Sequence, residues 1–196
     1  DYFCLTIAPT LGCNFDCPYC FEDKRNGVMS EDVQNALIRF VENKIKNGVK
    51  MLEITWYGGE PLMCFDIIKT LASQITAIAD SYNVKCRMGM ISNGYLLNEE
   101  VVDFLEKYNV SFQITIDGME ENHNKRRYLK NGNGTYSKII DNLKLFSNRQ
   151  IDVYVRMNVD NYNYNDYSAL SELVESFDNS RMLSLIHISE PTRPEP

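Results

Sequence analysis

Apolar residues along the 196-residue chain recur in two alternating rhythms. Short apolar and β-branched runs at 3–8, 51–57, 84–91, 110–116 and 151–159 have the length and composition of buried strands. Between them lie longer stretches whose apolar positions return every three or four residues, as on one face of a helix. Val33, Leu37, Phe40, Val41 and Ile45 form the first such stripe, and others run over about 66–82, from Asn98, over about 137–146 and over about 167–177. Ser30 and Asn98 stand at N-cap positions, each followed by two acidic residues that suit a helix N-terminus, and Gly48 ends the first helix. The stretch holding His123, Arg126, Arg127, Gly132 and Gly134 reads as a polar loop. Alternation of strand and helix predicts right-handed crossovers and a parallel sheet, hence an α/β protein. Both a doubly wound open sheet and a barrel or partial barrel fit, and both collect ligands at the carboxyl ends of their strands.

The polar motifs fall at those ends. The first strand runs into Gly12-Cys13-Asn14-Phe15-Asp16-Cys17-Pro18-Tyr19-Cys20-Phe21, with cysteines four and then three residues apart. Thiolates are the preferred ligands of iron–sulfur clusters, and three on one loop can hold three irons of a [4Fe–4S] cube and leave the fourth iron open. A closed zinc site needs a fourth ligand, and none stands near this triplet. Gly58-Gly59-Glu60-Pro61 follows the second strand, Ser92-Asn93-Gly94 the third and Asp117-Gly118 the fourth, while Arg156-Met157-Asn158 lies in the fifth. Adjacent glycines allow close approach of backbone to a ligand. Arg156 and Asn158 share one face of their strand, opposite Val153, Val155, Met157 and Val159. On an inward face such a cation needs a ligand or an internal carboxylate such as Asp117.

The cysteine spacing, with Tyr19 just before the last cysteine, resembles the radical S-adenosylmethionine (radical SAM) superfamily, and the later motifs follow in that family's order. The resemblance implies a partial (β/α)6 barrel of TIM type, with about five of the six units present. It implies a [4Fe–4S] cluster on Cys13, Cys17 and Cys20, whose open iron chelates S-adenosyl-L-methionine and whose electron cleaves it to a 5′-deoxyadenosyl radical. Matched residue by residue, Gly58, Gly59 and Glu60 stand at the element that binds the methionyl amino group, and Tyr19 stands beside the adenine. The run Cys17-Pro18-Tyr19-Cys20-Phe21-Glu22 and the segment from Thr115 to Arg127 look like anaerobic sulfatase-maturing enzymes and related peptide maturases. In those, a strand hydroxyl and a loop arginine hold the carboxylate and ribose; here they are Thr115, where serine is commoner, and Arg127, whose planar fork suits a carboxylate. Ser92, Asn93 and Arg156 are cofactor contacts by position. Arg126 reads as a solvated charge, His123 as a loop-positioning residue, and Cys64 and Cys86 as core thiols.

The implied reaction is hydrogen abstraction from a peptide or protein side chain, with a thioether, carbon–carbon or formylglycine product. Its implied partners are that substrate and an electron donor such as flavodoxin or ferredoxin. Members of this subgroup usually carry a C-terminal SPASM-type domain with further clusters, which this chain does not reach. A radical SAM enzyme for a small molecule, a non-catalytic iron–sulfur or zinc module, and an inactive fragment stay open as alternatives.

Composition changes this picture little. The hydrophobic share of 44% and charged share of 24% are those of an ordinary globular domain, and a net charge of −7 gives no footprint for nucleic acid. No secretion signal or membrane-length apolar run is expected, and the cysteines group as ligands and core thiols, so the cytoplasm is the expected compartment, without nucleic-acid or membrane partners. The core is expected over 1–181. Residues 182–196 follow neither rhythm and look like a translated sequencing adaptor, a non-native tail with which the sixth unit is expected to be lost.

Overall fold

The computed structural model describes residues 1–22 and 25–188. Strands β1 (Tyr2–Ile7), β2 (Met51–Trp56), β3 (Lys85–Ser92), β4 (Val110–Thr115), β5 (Val153–Val159) and β6 (Met182–Ile188) form one sheet in the order β1-β2-β3-β4-β5-β6. Every neighbouring pair is parallel. An order that never reverses sends each crossover the same way and so places the helices on one face, which is the barrel solution; a doubly wound sheet would reverse at a switch point. The two edges, β1 and β6, leave the barrel partial.

The connecting helices are α1 (Glu31–Lys46), α2 (Phe65–Ser81), α3 (Glu99–Lys107), α4 (Glu120–Arg126), α5 (Tyr136–Leu143) and α6 (Tyr167–Glu175). Val33 N donates to the Ser30 hydroxyl at 3.4 Å and Val101 N to Asn98 Oδ1 at 3.0 Å, so both expected N-caps operate. On β2, Leu52, Ile54 and Trp56 are buried while Glu53 and Thr55 face the other way. On β5, Val153, Val155 and Met157 are buried, and Tyr154, Arg156 and Asn158 lie on the more accessible inner face. The sheet thus packs its apolar face against the helices and turns a polar face inward.

The stretch Pro61–Ser81 is long and apolar enough to cross a membrane by length and composition, which corrects the expectation that no segment reaches that measure. Its stripe of Ile68, Leu71, Ala72, Ile75 and Ala79 is buried in the core. Each of the larger side chains there contributes about 1.5–3 kcal/mol of burial.

Two further segments differ from expectation. Residues 120–126, read as loop, form α4, a short polar helix with no apolar stripe to announce it. Glu120 and Glu121 at its start and Lys125 and Arg126 at its end complement its dipole. Asp166, from beyond β5, accepts from Met119 N at 2.8 Å and from Asn122 Nδ2 at 2.9 Å and holds it down. Residues 182–188, set outside the domain by their pattern, pair with β5 from Val153↔Met182 to Val159↔Ile188. An unpaired strand edge can be satisfied by backbone alone, whatever side chains the partner carries. Five strand–helix units are therefore complete and a sixth strand follows; 189–196 lie outside the described residues.

Candidate functional site

The cysteine loop leaves β1 and is tied to its surroundings on both sides. Thr10 Oγ1 accepts from Gly12 N at 2.9 Å and donates to Gly27 O at 2.6 Å. Gly59 N donates to Thr10 O at 3.2 Å and Glu60 N to Gly12 O at 2.9 Å, which carries the β1–β2 contact beyond the strands. From the other flank, Asp16 N donates to Tyr128 O at 2.9 Å and Lys130 N to Asn14 O at 3.3 Å. Phe15 is buried beneath the loop, edge-on to Tyr95 at 5.8 Å. None of the six cysteines is in a disulfide; Cys13 is buried, Cys17 half-buried and Cys20 exposed.

The glycine pair serves this contact directly. Gly58 has a φ of +123°, and a Cβ there would lie 2.2 Å from Thr10 O; at Gly59 it would lie 2.3 Å from Gly12 O. Only glycine lets the two loops meet.

Cys13, Cys17, Tyr19, Cys20, Gly58, Gly59, Ser92, Asn93, Thr115, Arg127 and Arg156 all line one cavity of about 510 Å³ at the carboxyl ends of the strands. Glu60 is absent from that lining. Its carboxylate is fully buried and accepts from Leu62 N at 3.0 Å, Ser92 Oγ at 2.8 Å and Asn93 N at 2.7 Å. Burial pushes its pKa upward, and those donors act the other way. The structure gives the Glu60 carboxylate a positioning part: it ties the second loop to the third. Asn93 then reaches the cysteine loop, its Nδ2 donating to Asn14 Oδ1 at 2.7 Å.

The charged wall is built around Asp117, which is fully buried. Its Oδ1 accepts from Asn158 N and Nδ2, both at 3.1 Å, and its Oδ2 accepts from the Tyr19 hydroxyl and lies 3.7 Å from Arg126 Nε. Arg127 Nη1 donates to the Tyr19 oxygen at 2.6 Å. Burial raises the Tyr19 pKa, with Arg127 opposing and Asp117 adding to the rise, so the hydroxyl keeps its proton. Arg126 is not a solvated charge: it is bound to Asp160 and its guanidinium lies 5.0 Å from the Tyr19 ring. Arg156 Nε donates to Asn158 Oδ1 at 3.1 Å, so the carboxylate considered for it, Asp117, is engaged elsewhere.

His123 Nδ1 accepts from Asp117 N at 3.2 Å, which places the ring proton on Nε2, 3.0 Å from Thr135 Oγ1; that hydroxyl donates to Arg127 O at 2.7 Å. Burial, with Arg127 nearby, pushes the His123 pKa down to about 3. A neutral buried imidazole braced at both nitrogens holds its loop. The cavity also takes in Gln113 and Asp160, which sequence reasoning passed over. Gln113 could have been found from its place two residues before Thr115, on the same face of β4.

The donor set suits an iron–sulfur cluster and a cofactor that carries a carboxylate. Among the described residues no three His, Cys, Asp or Glu side chains converge closely enough to share one metal ion. A cube takes one thiolate per iron, so its ligands need not converge on a single ion. Arg126 Nε and Arg127 Nε are buried without a hydrogen-bond partner among the described residues. Such donors cost about 1–3 kcal/mol each when left unmet, and an anion in the cavity is their natural complement.

The family model described as the radical SAM superfamily matches residues 7–174, and the chain belongs to that superfamily. The radical SAM cyclopropyl synthase TigE of Paramaledivibacter caminithermalis is 26% identical, over 84% of this chain and 40% of its own length. The sporulation killing factor maturation protein SkfB of Bacillus subtilis is 27% identical, over 85% of this chain and 38% of its own. A cysteine-type anaerobic sulfatase-maturating enzyme of Clostridium perfringens strain 13 is 27% identical, over 76% and 42%. The chain thus spans about 40% of the length of these curated relatives. Among solved structures, native anSMEcpe with bound AdoMet and Kp18Cys peptide matches with a TM-score of 0.81 at 22% identity, over 95% of this chain and 51% of that one, a likeness of fold.

Proposed function

We propose that Cys13, Cys17 and Cys20 hold a [4Fe–4S] cluster, that S-adenosylmethionine lies against it in the cavity, and that the whole protein modifies a peptide or protein side chain. The observation that carries this reading is convergence. Three thiols from one loop open onto the same cavity as Gly58–Gly59, Thr115 and Arg127, which come from the ends of other strands. When bound, the cluster and S-adenosylmethionine supply the electron transfer and the 5′-deoxyadenosyl radical that abstracts hydrogen from the substrate.

The chain's own residues bind, orient and shield. Each cysteine offers one thiolate. Thr115 offers a hydroxyl and Arg127 a fork of N–H donors, the pairing that grips a carboxylate. Glu60 fixes Ser92 and Asn93 on the wall between the second and third loops, and Phe15 closes the floor against water. The peptide assignment is supported by the maturation protein, the sulfatase-maturating enzyme and the peptide-bound neighbour among the proteins this chain resembles. Thioether, carbon–carbon or formylglycine products all belong to this reading, as does a flavodoxin or ferredoxin reductant. The test is anaerobic reconstitution with iron and sulfide, followed by electron paramagnetic resonance of the reduced protein with and without S-adenosylmethionine. A [4Fe–4S] signal that changes on adding the cofactor and is lost in Cys17→Ala is expected. A cluster indifferent to S-adenosylmethionine, or uptake of zinc alone, would overturn the assignment.

A further inference from the structure

We infer that the Asp117 carboxylate, acting through the Tyr19 hydroxyl, aims the Arg127 guanidinium at the carboxylate of S-adenosylmethionine, so that Asp117 and Tyr19 are positioning residues; this rests on the cofactor site proposed above. A phenol has one proton to donate, and a guanidinium can only donate. With Arg127 Nη1 2.6 Å from the Tyr19 oxygen and Asp117 Oδ2 on its other side, the direction is set: Arg127 donates to Tyr19, and Tyr19 donates to Asp117. Neither end of this relay is loose. Asp117 is fully buried, with its Oδ1 held by Asn158 and its backbone N–H by His123. The Arg127 carbonyl is held by the Thr135 hydroxyl.

Tyr19 occupies one of the five N–H groups of Arg127 and leaves the rest, including a buried Nε without a partner among the described residues, for an anion. A planar fork confers orientation only as well as it is itself held. Tyr19 also lies between Cys17 and Cys20, so the same hydroxyl sets the carboxylate-binding group in register with the cluster-binding loop.

The test is equilibrium dialysis on the reconstituted full chain, comparing wild type, Tyr19→Phe, Asp117→Asn and the double variant, with iron content measured alongside. The second ligand is 5′-methylthioadenosine, which keeps the nucleoside and lacks the amino and carboxylate groups. A charge-assisted hydrogen bond of ordinary strength predicts that each single variant binds S-adenosylmethionine about 10-fold more weakly. The double variant should be no weaker than the weaker single, because both changes break one relay. Iron content and methylthioadenosine binding should stay at wild-type levels. Effects that multiply in the double variant, equal weakening of both ligands, or wild-type affinity in Tyr19→Phe would each overturn the relay. Should Asp117→Asn fail to fold, Tyr19→Phe with the two ligands decides the question alone. A wild-type protein that binds no S-adenosylmethionine would instead refute the cofactor site itself.

Discussion

Replacing Gly59 by alanine tests whether the second loop and the cysteine loop are built as one unit. A Cβ at this position meets Gly12 O at 2.3 Å and both Gly12 C and Leu11 O at 2.6 Å, all of them backbone atoms. Ordinary contact begins at 3.4 Å, so one loop must retreat by roughly 1 Å. The atoms displaced stand immediately before Cys13. Retreat also stretches the bond from Glu60 N to Gly12 O, now 2.9 Å. Overpacking of this kind costs about 1–3 kcal/mol and a lost backbone bond about 1 kcal/mol more, or about 2–4 kcal/mol together. In a chain of this size each kcal/mol moves Tm by about 2–4 °C, so a fall of roughly 4–16 °C is expected in a circular dichroism melt. Iron uptake on anaerobic reconstitution should fall as well, because Cys13 shifts while Asp16 stays tied to Tyr128. Gly27→Ala is the control: a Cβ there has no neighbour within 4 Å, and Tm should hold. An unchanged Tm and full iron uptake in Gly59→Ala would refute the claim that contact between the loops requires glycine.

Four other outcomes are expected. Alanine at Cys13, Cys17 or Cys20 should abolish the broad visible absorbance of the reconstituted cluster, whereas Cys86→Ala, at a half-buried thiol whose pKa burial pushes up to about 11, should retain it. Because the folded pKa of His123 lies below its unfolded value, the unfolded chain takes up more protons between about pH 3 and pH 6.5, and stability falls with pH in that window. From about pH 7.5 to about pH 5 this amounts to about 2 kcal/mol; urea unfolding should show that loss in wild type beyond any in His123→Gln, and equal losses would exclude His123 as its source. Thr115→Val removes a hydroxyl at nearly constant volume and should weaken S-adenosylmethionine binding about fivefold with the cluster intact, as read by dialysis. A chain ended at Arg181 leaves β5 as an open edge and should self-associate in size-exclusion chromatography; a monodisperse monomer with unchanged Tm would argue against a structural part for 182–188.

How much of this was legible before the structure depended on whether the information was local. The strands were visible in their apolar runs, and the motifs at their carboxyl ends followed from position along the chain. Barrel and doubly wound sheet were indistinguishable because they differ in the direction of successive crossovers, which no window of residues records. The motif places Glu60 in its loop but says nothing of where its carboxylate points. That carboxylate turns to Ser92 and Asn93, a pairing 32 and 33 residues away that only the packing of β2 against β3 creates. Arg126 and Arg127 differ in their partners through Asp160 and Tyr19, at 34 and 108 residues' separation. Helix α4 lacked any apolar period, yet its order of acids first and bases last was a readable signal. The pairing of 182–188 escaped notice because a strand edge selects for backbone more than for side-chain pattern.

These long-range contacts share a purpose. The cysteine loop is tied to the second loop through Gly59 and Glu60, to the third through Asn93, and to the segment after α4 through Tyr128, Lys130 and Arg127. Small zinc modules take their fold from the metal, so their binding energy is spent on ordering the chain. Here the conformational cost of ordering the loop is met by hydrogen bonds to neighbours that are themselves anchored in the sheet, so the proposed cluster would not have to meet it. The same arrangement explains why the polar inner face can remain open. A second hollow of about 530 Å³, lined by Glu53, Arg87, Ser111 and Tyr154 among others, shares Ile91 and Gln113 with the cavity above it. The core lies on the other face of the sheet, under the helices, so the inner face need not be filled to keep the fold. The hollow can therefore stay open without disturbing the loop that carries the three thiols.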